Sequence, residues 1–353
     1  MKHITPILIL ALLAGCSLMP TPVSTPSLTP QPPTVTPTVQ PPADIFALNQ
    51  HIQRTVNLGD ALEAPNEGEW GVVLQADYFQ KIASAGFTAV RIPIRFSAHA
   101  SVVAPYTINP TFMKRVDWAV DTAIANGLVV IVDMHHYLEM FETPDANAAR
   151  FLGLWQQIAA HYQAYPDSQV YFELLNEPNG ALTDAKWNNL LAEAIPLVRQ
   201  TNPTRPIVVG ASGWNSLENL SNLRLPDDPN LIATFHYYQP FQFTHQGADW
   251  VDGSNAWLGT LWTGSPDELA ALAKDFDAAA SWAARNNRPM LLGEFGAYSA
   301  GDQASRVRWT AAVRQAAEER GFSWAYWEFC SGFGLYDRDA GQWRADLLAA
   351  LIP

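Results

Sequence analysis

Along the chain, short runs of β-branched and apolar residues alternate with longer segments whose apolar positions recur at helical spacing. The strand-like runs fall near 53–60, 87–94, 128–135, 169–176, 205–212, 231–238, 289–295 and 322–329. Between them, PTFMKRVDWAVDTAIANG from Pro110 sets Phe112, Val116, Ala119, Val120 and Ala123 on one face and stops at Gly127. Asp145 to Gln163, Asp184 to Asn202, Pro266 to Asn287 and Asp302 to Gly321 repeat that pattern. Eight strand signals with helices between them predict a single (β/α)8 barrel over residues 44–353, in preference to a doubly wound sheet with a second domain.

A barrel of this kind forms its site at the carboxyl ends of the strands, and unusual polar residues gather at those ends. They are Asn57, Arg91, His135, His136, Asn176, Glu177, His236, Tyr238, Glu294 and Trp327. The stretch ELLNEPN over 173–179 places Glu177 at a strand exit. Pro178 disfavours the α region for the residue before it, so Glu177 is expected to continue in extended conformation. In PMLLGEFG, Glu294 closes another apolar run and Gly296 is expected to let the chain turn sharply. The run from Gln239 to Ser265 is the longest connection, and its Phe241, Phe243, His245, Trp250, Trp257 and Trp262 read as a wall of a substrate groove.

The ends of the chain and its charge add context. Residues 1–16 have the form of a secretory signal, and Leu13-Ala14-Gly15-Cys16 resembles the bacterial lipobox, in which the cysteine becomes lipidated. Residues 17–43 are rich in Pro and Thr and read as an extended spacer. With Cys16 acylated, Cys330 is the one remaining cysteine, so no intrachain disulfide is expected. A net charge of −13 argues against nucleic acid or an anionic membrane as partner, leaving membrane contact to a lipid anchor at Cys16. Neutral polymers are untouched by that argument.

Two carboxylates at strand ends of one barrel are what glycoside cleavage requires. Its transition state is oxocarbenium-like, so one carboxylic acid protonates the leaving oxygen while a carboxylate stabilises or captures the anomeric carbon. Arg91 is suited to keeping Glu294 ionised, and a less polar setting would keep Glu177 protonated. Asn176 is placed to bond a sugar 2-hydroxyl, Tyr238 to donate to Glu294, and Trp327 to offer a flat apolar face.

VRIPIRF, DMHHY, ELLNEPNG, FHYYQPFQFTHQGADW, LLGEFGAY and AYWEFCSGFGLYD, taken in order, resemble glycoside hydrolase family 5, the retaining cellulases and mannanases. The resemblance runs from about Arg54 to the C-terminus and is nearest to bacterial endo-β-1,4-glucanases that also cleave mannan. It implies Glu177 as acid/base and Glu294 as nucleophile, with Arg91, His135, Asn176, His236, Tyr238 and Trp327 lining the subsite of cleavage. Asn57, Glu63, His136, His245 and Trp250 complete the expected substrate-binding set. One departure is Asp60 in NLGDALEAP, where relatives carry Asn; it bears on mannan more than on glucan. The expected partner is a β-linked polysaccharide, the expected state a monomer, and no cofactor or metal is implied. A polysaccharide-binding surface protein without catalysis, and a protein whose main activity is on mannan, are the alternatives.

Several residues compete for these roles. Glu173 reads as a structural hydrogen-bonding group, Asp133 as structural, and Glu328 as the rival nucleophile. His135 and His136 invite a zinc reading, but neighbours on a strand point to opposite faces and no HExxH spacing occurs. Trp118, Trp155, Trp187, Trp282 and Trp309 lie in helix patterns and are expected in the core. Trp214, Trp250, Trp257, Trp262 and Trp327 are candidate sugar platforms, and Cys330 is a buried packing residue.

Overall fold

A computed structural model describes residues 44–353. The signal and spacer expected over 1–43, including the proposed lipidation site Cys16, lie outside the described residues. Eight parallel strands close into a barrel in sequence order: β1 (Arg54–Asn57), β2 (Ala89–Ile94), β3 (Val129–Met134), β4 (Val170–Glu173), β5 (Ile207–Gly210), β6 (Leu231–His236), β7 (Met290–Phe295) and β8 (Ser323–Tyr326). β8 pairs back onto β1, with Arg54 opposite Trp324.

Helices cover the outside. In chain order they are α1 (Ile45–His51), α2 (Ala76–Ser84), α3 (Pro110–Ala125), α4 (Leu138–Glu142), α5 (Pro144–Tyr162), α6 (Asp184–Arg199), α7 (Phe241–Thr244), α8 (Pro266–Asn286), α9 (Gln303–Glu318) and α10 (Ala345–Leu351). Their starts follow from local chemistry. Before α3, the Asn109 side chain accepts from Thr111 N at 2.8 Å and Pro110 takes the first helical position, where no N–H is needed. Before α8, Ser265 and Glu268 form a reciprocal capping box. On α3 the buried stripe is Met113, Val116, Ala119, Val120 and Ala123; Phe112, expected on it, is only half-buried.

Inside the barrel, residues two apart on a strand face the same way, which sorts the interior into layers. The lower layer holds Ala89, Ile131, Tyr171, Val208, Ile232, Leu291 and Ala325, and α1 closes it from below with Ile45 and Leu48, followed by Ile52. Tyr171 donates its hydroxyl proton to Leu48 O at 2.8 Å, fixing that plug. Two residues further along β2, β3 and β4 stand Arg91, Asp133 and Glu173, all fully buried. The barrel therefore changes from apolar to ionic along its axis, and the ionic end faces the long loops. Trp155, Trp187, Trp282 and Trp309 are buried as expected, and Trp118 packs at the core's edge under the Arg115 guanidinium, 3.9 Å from its ring centre.

Candidate active site

The strands are shorter than the sequence pattern predicts, and the difference shapes the site. β4 ends at Glu173, although the chain follows its neighbours as far as Asn176, whose N–H donates to Met134 O at 2.9 Å. Glu177 then departs from the extended conformation expected of it and adopts φ 45°. Pro178 opposes the right-handed region, but the left-handed turn stays open, and Asn179 Nδ2 holds it by donating to Glu177 O at 2.8 Å. His136 likewise has φ 46°, just past β3. It therefore escapes the strand alternation, and the His135 and His136 rings lie 4.5 Å apart at 88°, not on opposite faces. Gly296 serves close approach instead of a turn: a Cβ there would lie 2.1 Å from Trp327 O.

The two carboxylates meet at one imidazole. His236 Nδ1 is 2.8 Å from Glu177 Oε1 and 3.6 Å from Glu294 Oε2. The ladder between β6 and β7 shifts register at this point, pairing Phe235 with Leu292 but His236 with Glu294. Such an irregularity re-aims side chains beside a site. Glu294 also accepts from Arg91 Nη1 at 2.9 Å and from the Tyr238 hydroxyl at 2.9 Å. Arg91 is fully buried and divides its remaining donors: Glu173 takes two at 2.6 and 2.9 Å, Asn57 Oδ1 one at 2.8 Å, and Asn176 Oδ1 one at 2.8 Å. Asp133 lies 3.0 Å from Arg91 Nη2 and receives His135 Nδ1 at 2.5 Å.

Burial pushes both site carboxyls up to about 7, Glu177 against the field of Arg91 and Glu294 against His236 and Arg91. The pair shares protons, and the donors decide who holds them. Glu294 receives two strong donors, Arg91 and Tyr238, while among the described residues Glu177 receives only His236, so the proton belongs on Glu177. His135 and His236 are held neutral, chiefly by burial.

Several expected substrate contacts serve a different purpose. Glu63 has no exposed surface, because its carboxylate accepts the N–H groups of Asp60 and Ala61 in its own loop; it shapes that loop and presents nothing to a sugar. Asn57 and Arg91 are fully buried beneath the site, Asn57 Nδ2 donating to Gly293 O, Ala325 O and Tyr326 O, and so support it from below. His135, Asn176, His236, Tyr238 and Trp327 come together around the carboxylates; the Trp327 indole stacks on His135 at 5.8 Å and 9°. His245 is buried beside Phe241 and Tyr238, and Trp250 stands exposed at the rim. Trp262 is buried in the core and is no platform, since the long connection folds through α7 and a 3-10 turn at Ser254–Trp257 instead of lying open. Glu328 is also excluded as nucleophile: it is buried and its oxygens accept the N–H groups of Cys330, Ser331 and Phe333.

Trp70, 5.4 Å from the His136 ring and edge-on to it, was missed by the sequence reading; its signal is an exposed tryptophan in the loop after β1. A cleft of about 510 Å³ runs from Glu177 past Trp214, His236, Tyr238, Phe241 and Trp250. Glu177, His236 and Glu294 offer ligand atoms within 4.8 Å of one another, the one set of three among the described residues close enough for a cation. The same closeness is what two carboxyls need to work on one sugar carbon and its leaving oxygen.

Fold and site together define a (β/α)8 barrel that carries a close pair of carboxylates at the carboxyl ends of its strands. The description "Cellulase (glycosyl hydrolase family 5)" matches residues 50–332, and the chain belongs to that family. Endoglucanase H of Acetivibrio thermocellus is 36% identical over 315 residues, which are 88% of this chain and 34% of that protein. This chain thus spans about a third of that relative's length. The structure of endoglucanase Cel5A from the hyperthermophilic Thermotoga maritima superposes with a TM-score of 0.86 at 48% identity, covering 88% of this chain and 100% of that one. The cellulose synthase subunit Z of Clostridioides difficile superposes at 0.83 with 41% identity, covering 86% and 100%.

Proposed function

We propose that the protein is a retaining, endo-acting β-1,4-glucanase in which Glu177 is the acid/base and Glu294 the nucleophile. The observation that carries this is that both carboxyls converge on one imidazole, Glu177 Oε1 at 2.8 Å and Glu294 Oε2 at 3.6 Å from His236 Nδ1, with an oxygen of each within 4.8 Å of the other. A direct nucleophile needs carboxyls about 5–5.5 Å apart, whereas an inverting pair needs about 6.5–9.5 Å to admit a water. In the first step a Glu294 oxygen bonds to the anomeric carbon as the glycosidic C–O bond breaks, and the Glu177 proton goes to the leaving oxygen. In the second, Glu177 takes a proton from water, whose oxygen bonds to the same carbon as the Glu294 ester is released. Two inversions give retention. The open cleft with Trp214 and Trp250 exposed along it supports a polymeric substrate bound across the site.

The test separates the two carboxylates. Wild type should release sugar of retained configuration. With azide present, Glu177→Ala should give the β-glycosyl azide from an activated aryl glycoside, and Glu294→Ala the α product. An inverted product from wild type, or exchange of the two azide outcomes, overturns the assignment. β-Mannan is the second reading, favoured by the Thermotoga maritima Cel5A structures, which include complexes with cellobiose and with mannotriose.

A cell-surface location through a lipid on Cys16 completes the proposal, supported by Leu13 to Cys16 and the Pro/Thr-rich run behind it. Wild type should partition with membranes, and Cys16→Ser should carry no acyl chain; equal release of both into the medium counts against the anchor.

A further inference from the structure

Asn215 lies in the connection between β5 and β6, one residue beyond the exposed Trp214, and is itself fully buried with φ 52°. It touches His236 twice. Its backbone oxygen accepts from His236 N at 2.9 Å, and its side-chain Nδ2 lies 3.4 Å from His236 Nε2. Its Oδ1 is buried without a hydrogen-bond partner among the described residues. That oxygen points at the last residue of β5, Gly210, where a Cβ would come within 2.1 Å of it. The hydrogen of Gly210 Cα in that position makes the weak C–H contact an amide oxygen tolerates.

We propose that Asn215 is a positioning residue that holds His236 in the neutral form protonated on Nδ1, and thereby directs the acid proton of Glu177 to its Oε2. The proposal rests on the reading of Glu177 as acid. Its first step is electrostatic. Nδ1 faces Glu177 Oε1 at 2.8 Å and Glu294 Oε2 at 3.6 Å, so a lone pair there would oppose carboxylate oxygens, and the proton sits on Nδ1. Nε2 then carries the lone pair and requires a donor, which Asn215 Nδ2 is placed to be. Rotating the amide would turn two N–H groups onto Gly210 Cα with no acceptor, a costlier arrangement than one bare oxygen.

The second step concerns charge. The groups facing His236 are Glu173 and Glu177 from the β4 side, Glu294 from β7, which also accepts from Tyr238, Arg91 from β2 and His135 from β3. Three carboxylates would draw a second proton onto the ring. An imidazolium needs a hydrogen on Nε2, where the Asn215 amide already presents one, so the ring stays neutral. The consequence reaches the acid. With Oε1 accepting from Nδ1–H, the proton of Glu177 is left to Oε2, which has no hydrogen-bond partner among the described residues and is free for the glycosidic oxygen. An imidazolium would instead keep Glu177 ionised and useless as an acid. His135 repeats the arrangement, with Asn176 Nδ2 at 3.1 Å from its Nε2 and Asp133 at its Nδ1.

Two measurements test this. In full-length protein labelled with nitrogen-15 histidine, with the His236 signals identified by their loss in His236→Gln, Nδ1 should be protonated and Nε2 bare over about pH 5 to 8. A ring protonated on Nε2, alone or as imidazolium, overturns the proposal without any variant of Asn215. In Asn215→Asp a carboxylate replaces the amide and should draw a proton to Nε2. Then kcat/KM on polysaccharide should fall about 100-fold, the scale of general-acid assistance, and its alkaline limb should move to lower pH. On dinitrophenyl cellobioside, whose leaving group needs no proton, kcat/KM should stay within about threefold of wild type. Equal losses on both substrates with unmoved limbs would make Asn215 merely structural and overturn the proposal. Failure of the acid assignment itself appears separately, in the azide products of Glu177→Ala.

Discussion

Tyr238→Phe isolates the tuning of Glu294, the proposed nucleophile. The substitution removes one hydroxyl, which donates to Glu294 Oε2 at 2.9 Å, and keeps the ring against His245 at 4.9 Å and Phe333 at 6.2 Å. A hydrogen bond to a charged group contributes about 1.5–3 kcal/mol, and one pKa unit is about 1.4 kcal/mol, so the carboxyl of Glu294 should rise by about 1–2 units. The donor favours the ionised form; removing it therefore makes Glu294 hold its proton to higher pH. On polysaccharide the wild-type profile should be a bell, falling on the acid side as Glu294 is protonated and on the alkaline side as Glu177 loses its proton. On dinitrophenyl cellobioside the acid is not needed, so kcat/KM should keep the acid limb alone and report Glu294 directly. The variant's acid limb should shift upward by about 1–2 pH units, with the high-pH plateau lowered by less than the loss near neutral pH. An acid limb that stays in place, or moves down, would refute the claim that Tyr238 holds Glu294 ionised.

Two further outcomes follow from the geometry. Trp214→Ala and Trp250→Ala, at 60% and 58% exposure, should each weaken binding of long oligosaccharides by about 1–3 kcal/mol while sparing folding, read by KM against chain length and by thermal unfolding; unchanged KM for both would remove the cleft wall from the binding account. Arg91→Met should cost about 3–5 kcal/mol in urea unfolding at neutral pH, because it strands buried Glu173, Asp133 and Glu294; wild-type stability would mean those carboxyls take up protons without penalty.

The barrel was legible because each strand is a short apolar run and each covering helix carries a stripe, and both periods are local properties of sequence. The strand ends were not. Residues such as His136 and Glu177 leave the ladder in left-handed conformations that no propensity of His or Glu announces, so β3 and β4 were read too long, whereas β2 and β7 end where their runs stop. The plug α1 has Ile45 and Leu48 at helical spacing with Ile52 just after it, but seven residues beside a proline-rich run give little pattern to read. Glu63 and Trp262 sat in loops that looked exposed, and burial there is decided by tertiary packing. Asn215 has no signal in the chain: what matters is that its amide meets a ring 21 residues away across a glycine.

The site is built on a deficit of positive charge. One buried guanidinium, Arg91, faces Asp133, Glu173 and Glu294, and Glu177 stands close enough to feel it without being bonded to it. Burial raises all four carboxyls, and a single cation cannot hold four ionised groups in a dry interior. Protons must be retained, and geometry chooses where. Glu173 takes two of the guanidinium's donors and Glu294 takes one with the Tyr238 hydroxyl added, whereas Glu177 takes none. The carboxyl starved of donors is the one at the cleft. The ion network beneath the site thus does more than anchor Glu294: by spending its charge elsewhere it leaves Glu177 protonated, and one guanidinium can set two residues of identical chemistry in opposite protonation states.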